Sequence, residues 1–206
     1  MRDKSAHIIS WVFHPLLMPT YLFLFIIMFA ASLLQPIQKE ALMQVLAVIF
    51  IVTFIIPAIS IGTLRVSNFI SDLSLYRRRQ RIVPFIFVTC FYGITAYMFY
   101  AKLQINHLIF LIFATVTGLL LLLTLITLFW KISIHSTGIG GTLGFVLAMH
   151  MVYPIPYFAY LLALLVATAG LIAYSRLALQ VHTPMQVYAG LVLGLAICYG
   201  SLFYFM

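Results

Sequence analysis

Three polar stretches interrupt an otherwise apolar chain: Asp72 to Pro84 (DLSLYRRRQRIVP), Lys131 to Gly141 (KISIHSTGIGG) and Ser175 to Gln186 (SRLALQVHTPMQ). They carry the residues able to do chemistry: the cations Arg78, Arg81, Lys131 and Arg176, the imidazoles His135 and His182, and the Ser133 hydroxyl. A guanidinium offers forked donors that match a phosphate, and an imidazole can exchange a proton near neutral pH. The combination points to an anionic head group, most economically a phosphate. For Arg77, Arg78 and Arg79 the first reading is an interfacial cluster that meets lipid phosphates. Arg176 differs, because it stands with Ser175 between two apolar runs. Gly138, Gly140, Gly141 and Gly144 suggest close helix packing, with Gly140/Gly144 and Gly190/Gly194 as small-residue pairs. Gly138 is the one assigned to the site, as a backbone donor at a helix start beside His135.

The elements that must position these groups follow from composition. Of 206 residues, 65% are hydrophobic and 7% charged, which excludes a soluble globular domain and a disordered chain. A spanning helix needs about 20 apolar residues. Such runs fall at about 16–34, 42–64, 84–101, 106–130, 138–153, 157–174 and 184–206. The expectation is an all-α integral membrane protein, a polytopic bundle of six to seven helices forming one transmembrane domain over 1–206. Met1-Arg2-Asp3-Lys4 resembles a charged leader, but the first run is expected to remain as a helix. The shortest run ends at Pro154 and Pro156. With seven spans, Arg2, Lys4, Arg65, Arg77, Arg78, Arg79, Arg81, Lys131 and Arg176 share one membrane face, against Lys39 and Lys102 on the other. The positive-inside rule assigns the rich face to the cytoplasm only if those cations are topological rather than phosphate-binding.

Ser175-Arg176, five residues, His182, three residues and Gln186 resembles the third signature of the type 2 phosphatidic acid phosphatases, which reads Ser-Arg, five residues, His, three residues, Asp. Ile132-Ser133-Ile134-His135 is similar to the second, Pro-Ser-Gly-His, with Ser and His retained. The first signature, Lys, six residues, Arg-Pro, is replaced: aligned on Pro84, Tyr76 and Val83 occupy its basic positions. The resemblance implies hydrolysis of a lipid phosphate or isoprenoid pyrophosphate without metal or other cofactor, by a divergent member in the bacterial cytoplasmic (inner) membrane. It implies that His182 attacks phosphorus, that His135 protonates the leaving oxygen, and that Arg176, Ser133 and a Gly138-region amide hold phosphate oxygens. Arg78, Arg81 and Lys131 are the candidates to supplement Arg176.

Gln186 has two readings. It can orient His182 as the family's Asp would, accepting from the ring N–H without contributing charge. It can equally close a capping box, since Thr183-Pro184-Met185-Gln186 places Thr183 at the N-cap and Gln186 at the third helical position. The function read from these residues is therefore a lipid phosphatase, or alternatively a catalytically silent relative that binds or transports a phosphorylated lipid. The expected partners are membrane lipids and the phosphorylated substrate, with no nucleic acid. A third reading uses His14, His107 and His150 as haem ligands, although each fits better as an interfacial or intrahelical histidine. Cys90 and Cys198 sit in apolar runs without metal-ligand spacing and read as packing residues.

Overall fold

The computed structural model describes residues 2–70, 78–103, 105–153 and 155–206. Arg77 and Tyr76 in the first polar stretch, and Pro154 after the fifth run, lie outside the described residues. Among the described residues the regular structure is helical, in the order α1 (Arg2–Val12), α2 (Met18–Ala30), α3 (Leu42–Phe50), α4 (Ile56–Val66), α5 (Ile82–Tyr97), α6 (His107–Phe129), α7 (Ile134–Val152), α8 (Tyr157–Ala178) and α9 (Pro184–Phe205). A π-helical segment, Ile51–Ile55, joins α3 to α4, and another, Met98–Leu103, extends α5. Among the described residues six helical segments are long and apolar enough to cross a bilayer: Lys4–Leu34, Lys39–Val66, Arg78–Leu103, His107–Phe129, Tyr157–Ala178 and Pro184–Phe205. The protein is an all-α polytopic integral membrane protein.

The chain forms two compact units, one built from Met1–Leu22 and Ile132–Met206, the other from Phe23–Lys131. In the first unit α7 is the centre. It begins at Ile134, four residues earlier than its apolar run suggests, because Ser133 caps it and the Ser/Thr/Gly content of its first turns is buried against protein rather than lipid. Twelve of its 19 residues are buried. Its length, about 28 Å at 1.5 Å per residue, is near the hydrocarbon thickness, yet its small and polar residues keep it out of the set of strongly apolar spans. Helices α7 and α9 meet backbone to backbone. A Cβ on Gly190 would lie 2.7 Å from the Ser133 carbonyl oxygen and 2.9 Å from Thr137 Oγ1, and one on Gly144 would lie 2.5 Å from the Leu195 oxygen and 2.8 Å from the Tyr199 nitrogen. Gly140 and Gly194 are equally close to Leu191 and Thr137. The two small-residue pairs thus face each other, the geometry that drives helix association in lipid. Cys198 is a free, buried thiol in this contact, and Cys90 of the second unit is free and exposed.

The second unit is held by aromatic side chains. Phe113 of α6 is nearly inaccessible and meets Phe23, Tyr92 and Phe99 at ring-centroid distances of 6.2, 5.7 and 5.2 Å. Edge and offset contacts of this kind add to packing. Asn106 caps α6, accepting from the Ile109 N–H at 3.2 Å, while its amide donates to the Leu33 and Gln35 carbonyls at 3.2 and 2.6 Å.

Candidate functional site

The first unit gathers residues 132–141 of the second polar stretch and the whole of the third. The start of α7, the end of α8 and the start of α9 meet there, tied by the Ser133 N–H donating to the Gln186 carbonyl at 3.2 Å. The route from α8 to α9 is short and fully determined. Helix α8 ends in a Schellman turn: the Val181 N–H donates to the Arg176 carbonyl at 3.3 Å and the Gln180 N–H to that of Leu177 at 3.0 Å. Gln180 occupies the left-handed position at φ 52°, where glycine is the usual residue. Three residues later Thr183 caps α9. His182 is therefore the joint between a helix end and a helix start, with little freedom to move.

Both readings of Gln186 are realised at once. Gln186 N–H donates to Thr183 Oγ1 at 3.4 Å, and Gln186 Oε1 accepts from the Thr183 N–H at 3.4 Å, completing the capping box. The same Oε1 lies 3.0 Å from His182 Nδ1. Because a backbone N–H must donate to that atom, it is the amide oxygen and not the nitrogen, so His182 Nδ1 carries the proton and Nε2 the lone pair. His182 itself is buried.

Arg176 lies at the other side of this end, 9% exposed. Its Nη1 is 3.5 Å from His135 Nδ1, and its Nη2 donates to Ser10 Oγ. A guanidinium only donates, so Nδ1 of His135 accepts, and Nε2 donates to the Ser10 carbonyl at 3.2 Å. His14 and His182 are both close enough for their charge state to act on His135. His14 stacks edge-on against the His135 ring at 5.6 Å, and its Nδ1 accepts the Leu16 N–H, capping the turn Pro15–Leu17. Ser175 also binds α1, its hydroxyl donating to the Ala6 carbonyl at 2.8 Å and lying 2.6 Å from Ser10 Oγ.

Ser133 is fully buried and acts as the α7 cap, accepting from the Ser136 hydroxyl at 2.9 Å and the Ser136 N–H at 3.4 Å. Gly138 is the fifth residue of α7, so the orphan donors of the helix start belong to residues 133–136 instead. A Cβ there would meet Met18 at 3.2 Å and Pro15 at 3.6 Å, which makes Gly138 a packing residue against the turn after α1. In the second unit, Arg78 and Arg81 share the turn Arg78–Arg81, with Arg81 buried. Burial, and then the nearby Arg81 guanidinium, hold the Lys131 ammonium below its ordinary pKa. Among the described residues no three His, Cys, Asp or Glu side chains form a metal-holding group.

Ser10 and His14 were not legible as site residues. The signal was the i, i+4 series Ala6, Ser10, His14, which puts small and polar residues on one helical stripe. Comparison with protein-family models, curated proteins and solved structures finds no match to the chain.

Proposed function

We propose that this protein hydrolyses a phosphorylated membrane lipid, a lipid phosphate or an isoprenoid pyrophosphate, through a phosphohistidine on His182, as a divergent relative of the type 2 phosphatidic acid phosphatases in a bacterial cytoplasmic membrane. The observation that carries this reading is the 3.0 Å bond between His182 Nδ1 and Gln186 Oε1. It leaves Nε2 as the basic nitrogen at a rigid joint between two helices. Replacing the Asp of a serine-protease triad by Asn costs about ten-thousandfold because the wrong tautomer results. Here the Thr183 N–H orients the amide oxygen toward the ring, so the useful tautomer is kept and only the carboxylate charge is missing.

In the proposed reaction Nε2 of His182 forms a bond to phosphorus as the bond to the leaving oxygen breaks. Nδ1–H stays on Gln186, and Arg176 meets the charge on the phosphoryl oxygens. A phosphate that draws the Arg176 fork away from His135 Nδ1 exposes that nitrogen to a proton and adds negative charge beside it. The resulting imidazolium protonates the leaving oxygen. Neutral His135 then removes a proton from water, whose oxygen attacks phosphorus and breaks the P–N bond, releasing inorganic phosphate and neutral His182, and the His135 imidazolium gives its extra proton to water as the Arg176 fork returns.

A second reading, a silent relative that binds or transports a phosphorylated lipid, is favoured by the internal engagement of Arg176 by Ser10 and His135 and by the full burial of Ser133. Phosphate release from a panel of lipid phosphates and isoprenoid pyrophosphates, with and without chelator, separates the two. Release that survives chelation and is lost in His182→Ala is expected. Turnover unchanged by that substitution contradicts the phosphohistidine, and binding without release supports the silent relative.

A further inference from the structure

The amino-terminal helix α1 reaches the proposed phosphate site through one residue. Ser10 makes two different contacts there: its hydroxyl accepts from Arg176 Nη2, and its main-chain carbonyl accepts from His135 Nε2 at 3.2 Å. The hydroxyl is in turn aimed by the Ala6 carbonyl at 2.8 Å, one helical turn earlier. The stripe that delivers Ser10 is buried, with Ala6 at 0% exposure, while Ile8 and Trp11 on the other side of α1 are exposed at 62% and 74%.

We propose that Ser10 is a positioning residue of the phosphate site, holding the Arg176 guanidinium in the orientation that receives the phosphate and fixing the His135 tautomer from the same helical turn. This rests on the phosphate-site reading above. Ser10 anchors the guanidinium at Nη2 whether Nη1 lies on His135 Nδ1 or has turned to a phosphate, and because the group is planar that one anchor directs the fork. In a flexible cation the same donors would have to be ordered by the ligand, which lowers affinity. Ser175 provides an internal control. It is also buried, and its hydroxyl donates to the same Ala6 carbonyl, with the Ser10 oxygen 2.6 Å away, rather than accepting from the guanidinium.

The test is equilibrium binding of inorganic phosphate to the full chain in detergent. Ser10→Ala is expected to weaken binding about tenfold or more, because a hydrogen bond to a charged group is lost. Ser175→Ala and Ser10→Thr are expected to stay within about threefold of wild type, the latter because the hydroxyl is retained. Should Ser10→Ala fail to fold, Ser10→Cys, a close steric match and a poor acceptor, is expected to show the same loss. Equal losses in Ser10→Ala and Ser175→Ala would mean that Ser10 only docks α1, and the inference falls. Wild-type affinity in Ser10→Ala together with loss in Arg176→Ala overturns the role of Ser10 and leaves the phosphate site standing. Absence of phosphate binding in the wild type, or binding indifferent to Arg176→Ala, overturns both.

Discussion

The two units of this protein solve the same problem, packing helices in a solvent as apolar as their own side chains, by opposite means. In Phe23–Lys131 the core is a cluster of rings around Phe113, helix-interior hydroxyls such as Thr89, Thr117 and Thr124 donate back to their own helices, and the Arg78–Arg81 turn stands at a helix start. In the unit formed by α1 and α7–α9 the core is backbone against backbone at four glycines, and its end carries a network of imidazole, guanidinium and hydroxyl groups. Rings fill space and tolerate small shifts, since stacked, offset and edge-on arrangements are all favourable over a range of separations. Glycine contacts fix the separation of α7 and α9, which is what a hydrogen-bond network with limited tolerance in distance requires. A polar site in a membrane protein is thus supported by its most tightly packed helices.

Substitutions break this comparison at different depths. The largest effect is expected for Gly194→Leu, whose side chain would occupy the space of the Thr137 carbonyl and the Gly141 nitrogen; destabilisation by more than about 4 kcal/mol, read as loss of folded protein in detergent, is predicted. Survival at wild-type stability would show that α7 and α9 do not depend on backbone contact. Phe113→Ala should cost about 3 kcal/mol of stability through its cavity while leaving phosphate affinity unchanged. A parallel loss of affinity at full occupancy of the folded state would contradict the division of labour.

Smaller effects sharpen the account. Gln186→Asp restores a charge beside His182 and is predicted to raise turnover by about tenfold, as charge-assisted bonds are roughly twice as strong as neutral ones; an unchanged or lower rate would assign Gln186 to the helix cap alone. Gln180→Gly relieves a left-handed residue at the Schellman turn and should stabilise the protein by up to about 1 kcal/mol. The matching turn of the second unit, where α4 ends at Asn68 with φ 60°, should gain less from Asn68→Gly, because asparagine tolerates that conformation. An equal gain at both positions would remove that distinction.

The sequence carried the helices and, of the candidate site, the pairing of His182 with Gln186. Apolar runs located the strongly apolar spans because lipid enforces them, and the spacing from Ser175 to Gln186 carried the His182–Gln186 pair because both lie within a few residues along the chain. The start of α7 was misplaced, since burial against protein removes the need for apolar side chains that the run-length reading uses. Gly138 looked like a donor for the same reason: its role depends on where the helix begins. Ser10 and His14 were invisible because their partners, Arg176 and His135, lie more than a hundred residues away, and neither an i, i+4 stripe nor a lone histidine specifies its contact. Arg78, Arg81 and Lys131, the candidates to supplement Arg176, fall in the unit Phe23–Lys131.

The central claim is that His182 becomes covalently phosphorylated. Rapid quenching of the full chain with a substrate labelled in its phosphate, followed by alkaline workup and mapping of the labelled peptide, tests it most directly. The account predicts acid-labile, alkali-stable label on the peptide containing His182, absent from His182→Ala and retained on Gln186→Asp. Phosphate release with no label on that peptide at any quench time, or with label elsewhere, would contradict it.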